Sequence, residues 1–289
     1  MKKIALLGTT ASGKSDLAHK LAKSVNAVIL SLDSMCIYKE LNIINAKPDS
    51  KMLDEVKYFG INLISVKDDF NVALFFNEYQ NALNYAKENN QNLIITGGTG
   101  FYLKALLDGL SPKIDDINHD LSLDEIYDLM QKIDKNCKIN KNDKYRLNKW
   151  YSIYKTTNEI PSEWQKANTN KGMISEITIF DLLWDKDELN KRIVLRTKAM
   201  LKMGAISEVL ELFKEYKNLK ALNSIGAKEI IQNHLGLIKD EDLCEMISIH
   251  TRQFAKRQRT FNKKFNAQTL QINNTTDLEN AFFKIKEYF

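Results

Sequence analysis

The stretch "GTTASGKS", Gly8 to Ser15, constrains this chain more than any other part of it. It fits G-x-x-x-x-G-K-[ST] at every fixed position, a loop whose successive backbone N–H groups cradle an anion and which ends in a lysine and a hydroxyl residue. Such a loop functions between a buried strand and a helix N-terminus, and both flanks comply. "KKIALLG" is a short apolar run ending at the first glycine, and "SDLAHKLAKSV" places Leu17, Ala18, Leu21, Ala22 and Val25 on one helical face. The expected cradle comprises Gly8, Thr9, Thr10, Ala11, Ser12, Gly13, Lys14 and Ser15, with Lys14 as a point charge and Ser15 able to ligate Mg²⁺. The phosphate chemistry stays open, because kinases and NTPases use the same device.

"NAVILSLDS" is a second buried-strand candidate, and "NLIITGGTG" a third that closes on glycines before the helical "FYLKALLDGL". Apolar strands alternating with amphipathic helices predict an α/β fold with a P-loop NTPase-like parallel sheet. In such sheets ligands gather at the carboxyl ends of the strands, where Gly8, Asp33 and Gly97 fall. From about Ser111 the chain turns polar and helical in pattern, and "ISEITIFDLLWD" then restores a strand-like run. Residues 1–112 with 174–289 are the expected catalytic core, residues 113–173 a helical insertion, and the C-terminal part is helical.

A hydrophobic content of 44% over 289 residues suffices for a substantial core. Cys36, Cys137 and Cys244 are odd in number and contain no C-x-x-C pair, which argues against a disulfide framework or a zinc ribbon. "MKKIALLGTT" imitates a signal peptide, but its apolar run is too short, and no stretch approaches the ~20 apolar residues of a membrane span. A soluble, cytoplasmic protein with no membrane partner is expected.

Several side chains carry chemistry. Asp33 reads as an acid near Mg²⁺, as a recognition residue together with "SMCIY", or as the N-cap of a helix through Tyr38. Thr99, in "GGTGFY", offers a hydroxyl where paired glycines let backbone approach a ligand. Arg192 and Arg196 form an i, i+4 pair that reads either as a solvated basic face or as a fork reaching the phosphates. In the last long helix Ile247, Phe254, Phe261 and Phe265 make an apolar stripe read as core packing. Arg252, Lys256, Arg259 and Lys263 oppose it. Six basic residues and no acid lie between Arg252 and Phe265, a one-sign surface suited to a polyanion.

Taken together, "GTTASGKSDLA", "DSMCIYKELNI" with "AKP" after it, "GGTGFYLKALLDGLSP", "NDKYRL", "RIVLRTKAMLKMG", "IGAKE" and "TRQFAKRQRTF" resemble the tRNA dimethylallyltransferase (tRNA isopentenyltransferase) family. They keep that family's order and spacing across nearly the whole chain. Cys36 stands where the family usually has Gln, and Ala227 where it has Tyr.

The resemblance implies transfer of a dimethylallyl group from dimethylallyl diphosphate to N6 of the adenine 3′ of the anticodon, with release of diphosphate. Thr10 to Ser15 would hold the diphosphate with Mg²⁺ on Ser15. Lys14 and Arg196 would stabilise charge on the leaving group, Asp33 would accept the N6 proton, and Thr99 would contact the adenine or align the diphosphate. The anticodon stem-loop would meet Asp33, Ser34, Met35, Cys36 and Thr99, then Lys144, Tyr145, Arg146, Leu147 and Asn148. It would also meet Thr251, Arg252, Gln253, Lys256, Arg257 and Gln258 on the basic helix, and the protein is expected to be a monomer.

Overall fold

A computed structural model describes residues 1–68, 70, 72–217 and 219–289. The chain runs through β1 (Lys3–Gly8), α1 (Lys14–Val25), β2 (Ala27–Ser31), α2 (Ser50–Glu55), β3 (Tyr58–Phe59), α3 (Val72–Glu88), β4 (Asn92–Thr96) and α4 (Gly100–Asp108). Next come α5 (Leu123–Ile133), α6 (Lys144–Thr157) and α7 (Pro161–Asn168). It continues through β5 (Thr178–Trp184), α8 (Lys186–Lys202), α9 (Ala205–Glu215), α10 (Ala227–His234), α11 (Asp240–Asn262), β6 (Gln268–Ile272) and α12 (Thr275–Lys286).

The sheet has the order β3-β2-β4-β1-β5-β6, and every neighbouring pair is parallel. Parallel strands need helical crossovers, which cover both faces and explain why the inner strands are continuous apolar runs. Every residue of β2 is buried, as are Ile4 to Gly8 of β1. Because β4 lies between β1 and β2, the ends of all three strands converge, and the loops after Gly8, Ser31 and Thr96 meet there. These loops are tied by backbone bonds: Leu32 N–H donates to Thr96 O at 2.6 Å and Thr99 N–H to Leu32 O at 3.0 Å.

The chain divides into two compact units, residues 1–103 with 176–289, and residues 104–175. The smaller unit has its own core of Ile126, Met130, Leu147, Trp150 and Tyr151. Its buried Asp134 accepts from Trp150 Nε1 at 3.0 Å, Ser162 N at 3.0 Å and Ser162 Oγ at 2.6 Å, so the burial cost of the carboxylate is met by three donors. Among the described residues no helix is long and apolar enough to cross a membrane.

Candidate active site

The loop after β1 is built by left-handed backbone at two points, Ala11 with φ 61° and Gly13 with φ 80°. Gly13 costs nothing there, whereas Ala11 has a Cβ and must be held by its surroundings. Two long-range donors hold it. Arg192 Nε donates to Ala11 O at 2.8 Å and Trp184 Nε1 to Ser12 O at 2.8 Å, while the Arg192 guanidinium lies 4.3 Å from the Trp184 ring centre. These bonds engage the carbonyls from outside the turn; of its amides, Thr10 N donates to Gln258 Oε1 at 2.7 Å and Ser12 N to Thr9 O at 3.2 Å, which leaves an anion the other amides and the first turn of the helix. Gly13 caps α1 without any side-chain acceptor, so the first N–H groups of the helix remain available to an anion.

Besides Arg192, two more cations meet this loop. Lys14 is 8% exposed and donates to Thr9 O at 3.2 Å; Arg196 Nη1 donates to Thr10 Oγ1 at 3.3 Å. Burial, and after it the charge of Arg196, lowers Lys14 to about 8. Burial likewise pulls Arg196 below the usual guanidinium value. Two desolvated like charges beside a helix N-terminus, offset in part by Asp33, are unfavourable without an anion, which makes this a candidate anion site. The Arg192–Arg196 pair is therefore no solvated face: one arginine braces the turn and the other faces its interior.

Asp33 stands opposite, just beyond β2. Its Oδ1 accepts from Met35 N at 2.9 Å, two residues on, and the following residues form turns. The helix through Tyr38, and with it the capping role of Asp33, is not formed. Thr99 Oγ1 accepts from Ser34 N at 3.3 Å, which places its hydroxyl on the same wall. Gly97 packs so closely on Leu32 that a Cβ would lie 2.4 Å from the Leu32 carbonyl carbon. Cys36 is buried, and desolvation followed by the Asp33 charge pushes its thiol up, which keeps it neutral.

Two cavities meet between these walls. One, of about 80 Å³, runs from Lys14 and Ser15 to Ile29, Cys36, Pro48, Tyr58 and Ile61. The other, of about 340 Å³, extends past Ser34, Thr99, Met200, Ile225 and Thr251. Thr10, Asp33, Asn45, Gly98, Arg196 and Phe254 line both. Asn45 sits on a loop held by Glu208, whose carboxylate accepts from Asn42 N at 2.6 Å, Ile43 N at 2.9 Å and Ile44 N at 2.9 Å. A further opening of about 370 Å³ is lined by Ser12 to Asp16, Arg192 and Arg196.

The α11 stripe differs from its expected packing. Ile247 is buried in the core, but Phe254 is 36% exposed and lines both cavities. Lys256, Arg257 and Gln253 are exposed, whereas Arg259 turns inward and donates to Trp184 O at 2.7 Å, so it leaves the basic face. Arg252 pairs with Glu245. Thr251 lines the larger cavity, and Gln258 is 6% exposed. In the smaller unit Tyr145 is 73% exposed, Lys144 is exposed and Arg146 pairs with Asp143 at 3.0 Å. Leu147 is fully buried in that unit's core and offers no surface to RNA; Asn148 is half-buried.

The sequence reading missed Trp184, Glu208, Asn45 and the cavity-lining role of Phe254. No local pattern announces them, because their partners lie far along the chain; Trp184 and Ser12 are separated by 172 residues.

Comparison with known proteins identifies the family. The IPP transferase (IPPT) family matches residues 36–265. A tRNA dimethylallyltransferase of Campylobacter lari is 55% identical over 288 residues, covering 98% of this chain and 96% of that protein. One from Campylobacter jejuni is 51% identical over 285 residues, 98% and 99% of the two chains. Among solved structures, a eukaryotic dimethylallyltransferase acting on tRNA superposes with a TM-score of 0.76 at 25% identity, over 96% of this chain and 75% of that one. The full-length tRNA isopentenylpyrophosphate transferase of Bacillus halodurans has the same fold, with a TM-score of 0.75 at 23% identity, over 99% and 95%. The match over residues 36–265 and this span of likeness to curated relatives make the chain a member of the IPP transferase family.

Proposed function

We propose that this protein transfers a dimethylallyl group from dimethylallyl diphosphate to N6 of the adenine 3′ of the anticodon in tRNA. The observation that carries the reading is the junction of two cavities at Thr10, Asp33 and Arg196, with a cationic anion cradle on one side and a basic helix flanking the other. The diphosphate lies on the loop amides, Lys14 and Arg196, with the five-carbon chain in the apolar end formed by Ile29, Tyr58 and Ile61. The adenine leaves the anticodon loop stack, at a cost of a few kcal/mol, and enters the larger cavity beside Thr99.

An exocyclic adenine nitrogen is a weak nucleophile, because its lone pair is delocalised into the ring. Asp33 takes the N6 proton as the N6–C1 bond forms and the C1–O bond breaks in line. The electron pair of that bond departs with the diphosphate, whose charge Lys14 and Arg196 stabilise. The Ser15 hydroxyl, exposed in the first turn of α1 at the cradle, suits a Mg²⁺ ion held largely by diphosphate oxygens. Such an ion would supply further charge neutralisation there. Exposed Lys256 and Arg257 fit phosphates of the anticodon stem-loop.

The test is incubation of the protein with anticodon stem-loop RNA, Mg²⁺ and labelled dimethylallyl diphosphate. Label on the adenine is expected. Phosphate transfer from ATP without any use of the isoprenoid would overturn the reading.

A further inference from the structure

Gln258 sits on α11 between Arg259 and exposed Arg257, yet its side chain turns inward and lines the smaller cavity. It is 6% exposed, and both ends of its amide are engaged by backbone. Oε1 accepts from Thr10 N at 2.7 Å, and Nε2 donates to Gly98 O at 2.8 Å. The partners fix the amide's orientation, since the reversed form would set N–H against N–H and oxygen against oxygen. The fit at Gly98 is tight: a Cβ there would come within 2.7 Å of Gln258 Nε2.

The two atoms it joins belong to opposite sides of the reaction. Thr10 is part of the diphosphate cradle and contacts Arg196. Gly98 precedes Thr99, whose backbone is tied to Leu32 and whose hydroxyl is tied to Ser34, the residues on either side of Asp33. One side chain thus spans from the leaving-group wall to the wall that carries the proton acceptor, and it does so from the helix bearing Lys256 and Arg257.

We propose that Gln258 is a positioning residue that fixes the separation between the diphosphate cradle and the Asp33–Thr99 wall, and that it does not read RNA. The inference rests on the prenyl transfer proposed above. An in-line displacement needs its reacting atoms about 3 to 3.5 Å apart, and a slack of about 1 Å costs on the order of 100-fold in rate. The bridge therefore acts on turnover rather than on the binding of either substrate.

The test compares wild type, Gln258→Glu and Gln258→Ala, with folding checked by thermal melting. Transfer is measured at saturating substrates, and stem-loop RNA affinity separately by fluorescence anisotropy. Ionised, the glutamate still accepts from Thr10 but opposes the Gly98 carbonyl; protonated, it donates to Gly98 as the amide does. Both variants should lose roughly 10- to 100-fold in kcat, with RNA Kd and donor KM within about twofold of wild type. The Gln258→Glu rate, relative to wild type at each pH, should recover as pH falls toward about 5, where the buried carboxyl is protonated. A merely structural role shows instead as a lowered melting temperature with kcat of the folded variants unchanged.

An RNA Kd raised about tenfold or more with kcat unchanged, or no change in any quantity, would overturn the proposal. If Gln258→Ala fails to fold, the pH profile of Gln258→Glu decides alone. Absence of prenyl transfer by the wild type would refute the proposed activity instead, and the RNA affinities would still decide whether Gln258 reads RNA.

Discussion

Donor affinity should fall steeply between pH 7 and pH 9, because Lys14 deprotonates within that window. Burial and the nearby Arg196 hold the donor-free lysine at about 8 rather than at 10.5. That depression corresponds to about 3 kcal/mol of disfavoured charge. Below pH 8 the folded protein bears this cost, which is relieved as pH rises from about 8 to 10.5, so Lys14 adds to the stability of the donor-free protein across that interval.

Donor binding runs the other way, since a diphosphate favours the ammonium. With Lys14 at about 8, roughly nine-tenths of the free protein carries the charge at pH 7 and roughly one-tenth at pH 9. Phosphate groups complete their ionisation near pH ~6, so they add little to the change. Affinity should therefore drop about tenfold, with uptake of roughly half a proton per site at pH 8. Calorimetric titration with dimethylallyl diphosphate, without RNA, in buffers of different ionisation enthalpy reads both quantities. Lys14→Arg stays charged and should flatten the profile. A flat wild-type affinity over this range with no proton uptake would refute the reasoning.

Three other perturbations separate the parts of the site. Asp33→Asn should slow transfer by about 10² to 10⁴-fold while leaving stem-loop RNA affinity intact, as single-turnover rates and RNA titrations will show. Changing Lys256 and Arg257 together to Gln should lower the slope of log affinity against log salt by about 1.4, the amount for two single-strand phosphate contacts. An unchanged slope removes them from the RNA surface. Glu208→Ala leaves three backbone amides without their carboxylate, so thermal unfolding should show a loss of about 1 to 3 kcal/mol. Donor KM should rise as the Asn45 loop loosens.

The parts of the fold that local pattern encodes were legible in the sequence. β1, β2 and β4 are buried apolar runs, and the loops at their ends carry Gly8, Asp33 and Gly97 to one place. β3 has two residues and β6 buries only Leu270 and Ile272, so neither presents a periodicity long enough to read. The same limit applies to the site. Lys14 announces itself by motif, whereas Phe254 shares a helical phase with Ile247 and reads as core until the neighbouring cavities are seen. Arg259 shares a phase with the basic face, but the Trp184 carbonyl captures it. Periodicity reports which side of a helix a residue occupies; only tertiary structure shows what that side meets.

The central claim is that a carbon chain is transferred and the diphosphate discarded. Its most direct test is the mass and position of modified adenosine in tRNA from cells that contain this protein, lack it, or carry Asp33→Asn in its place. A C5H8 increment on N6 of the adenosine 3′ of the anticodon is expected in the first case, with its loss in the second and near-loss in the third. An adenosine of unaltered mass in cells that contain the protein, or an increment that persists without it, would contradict the claim.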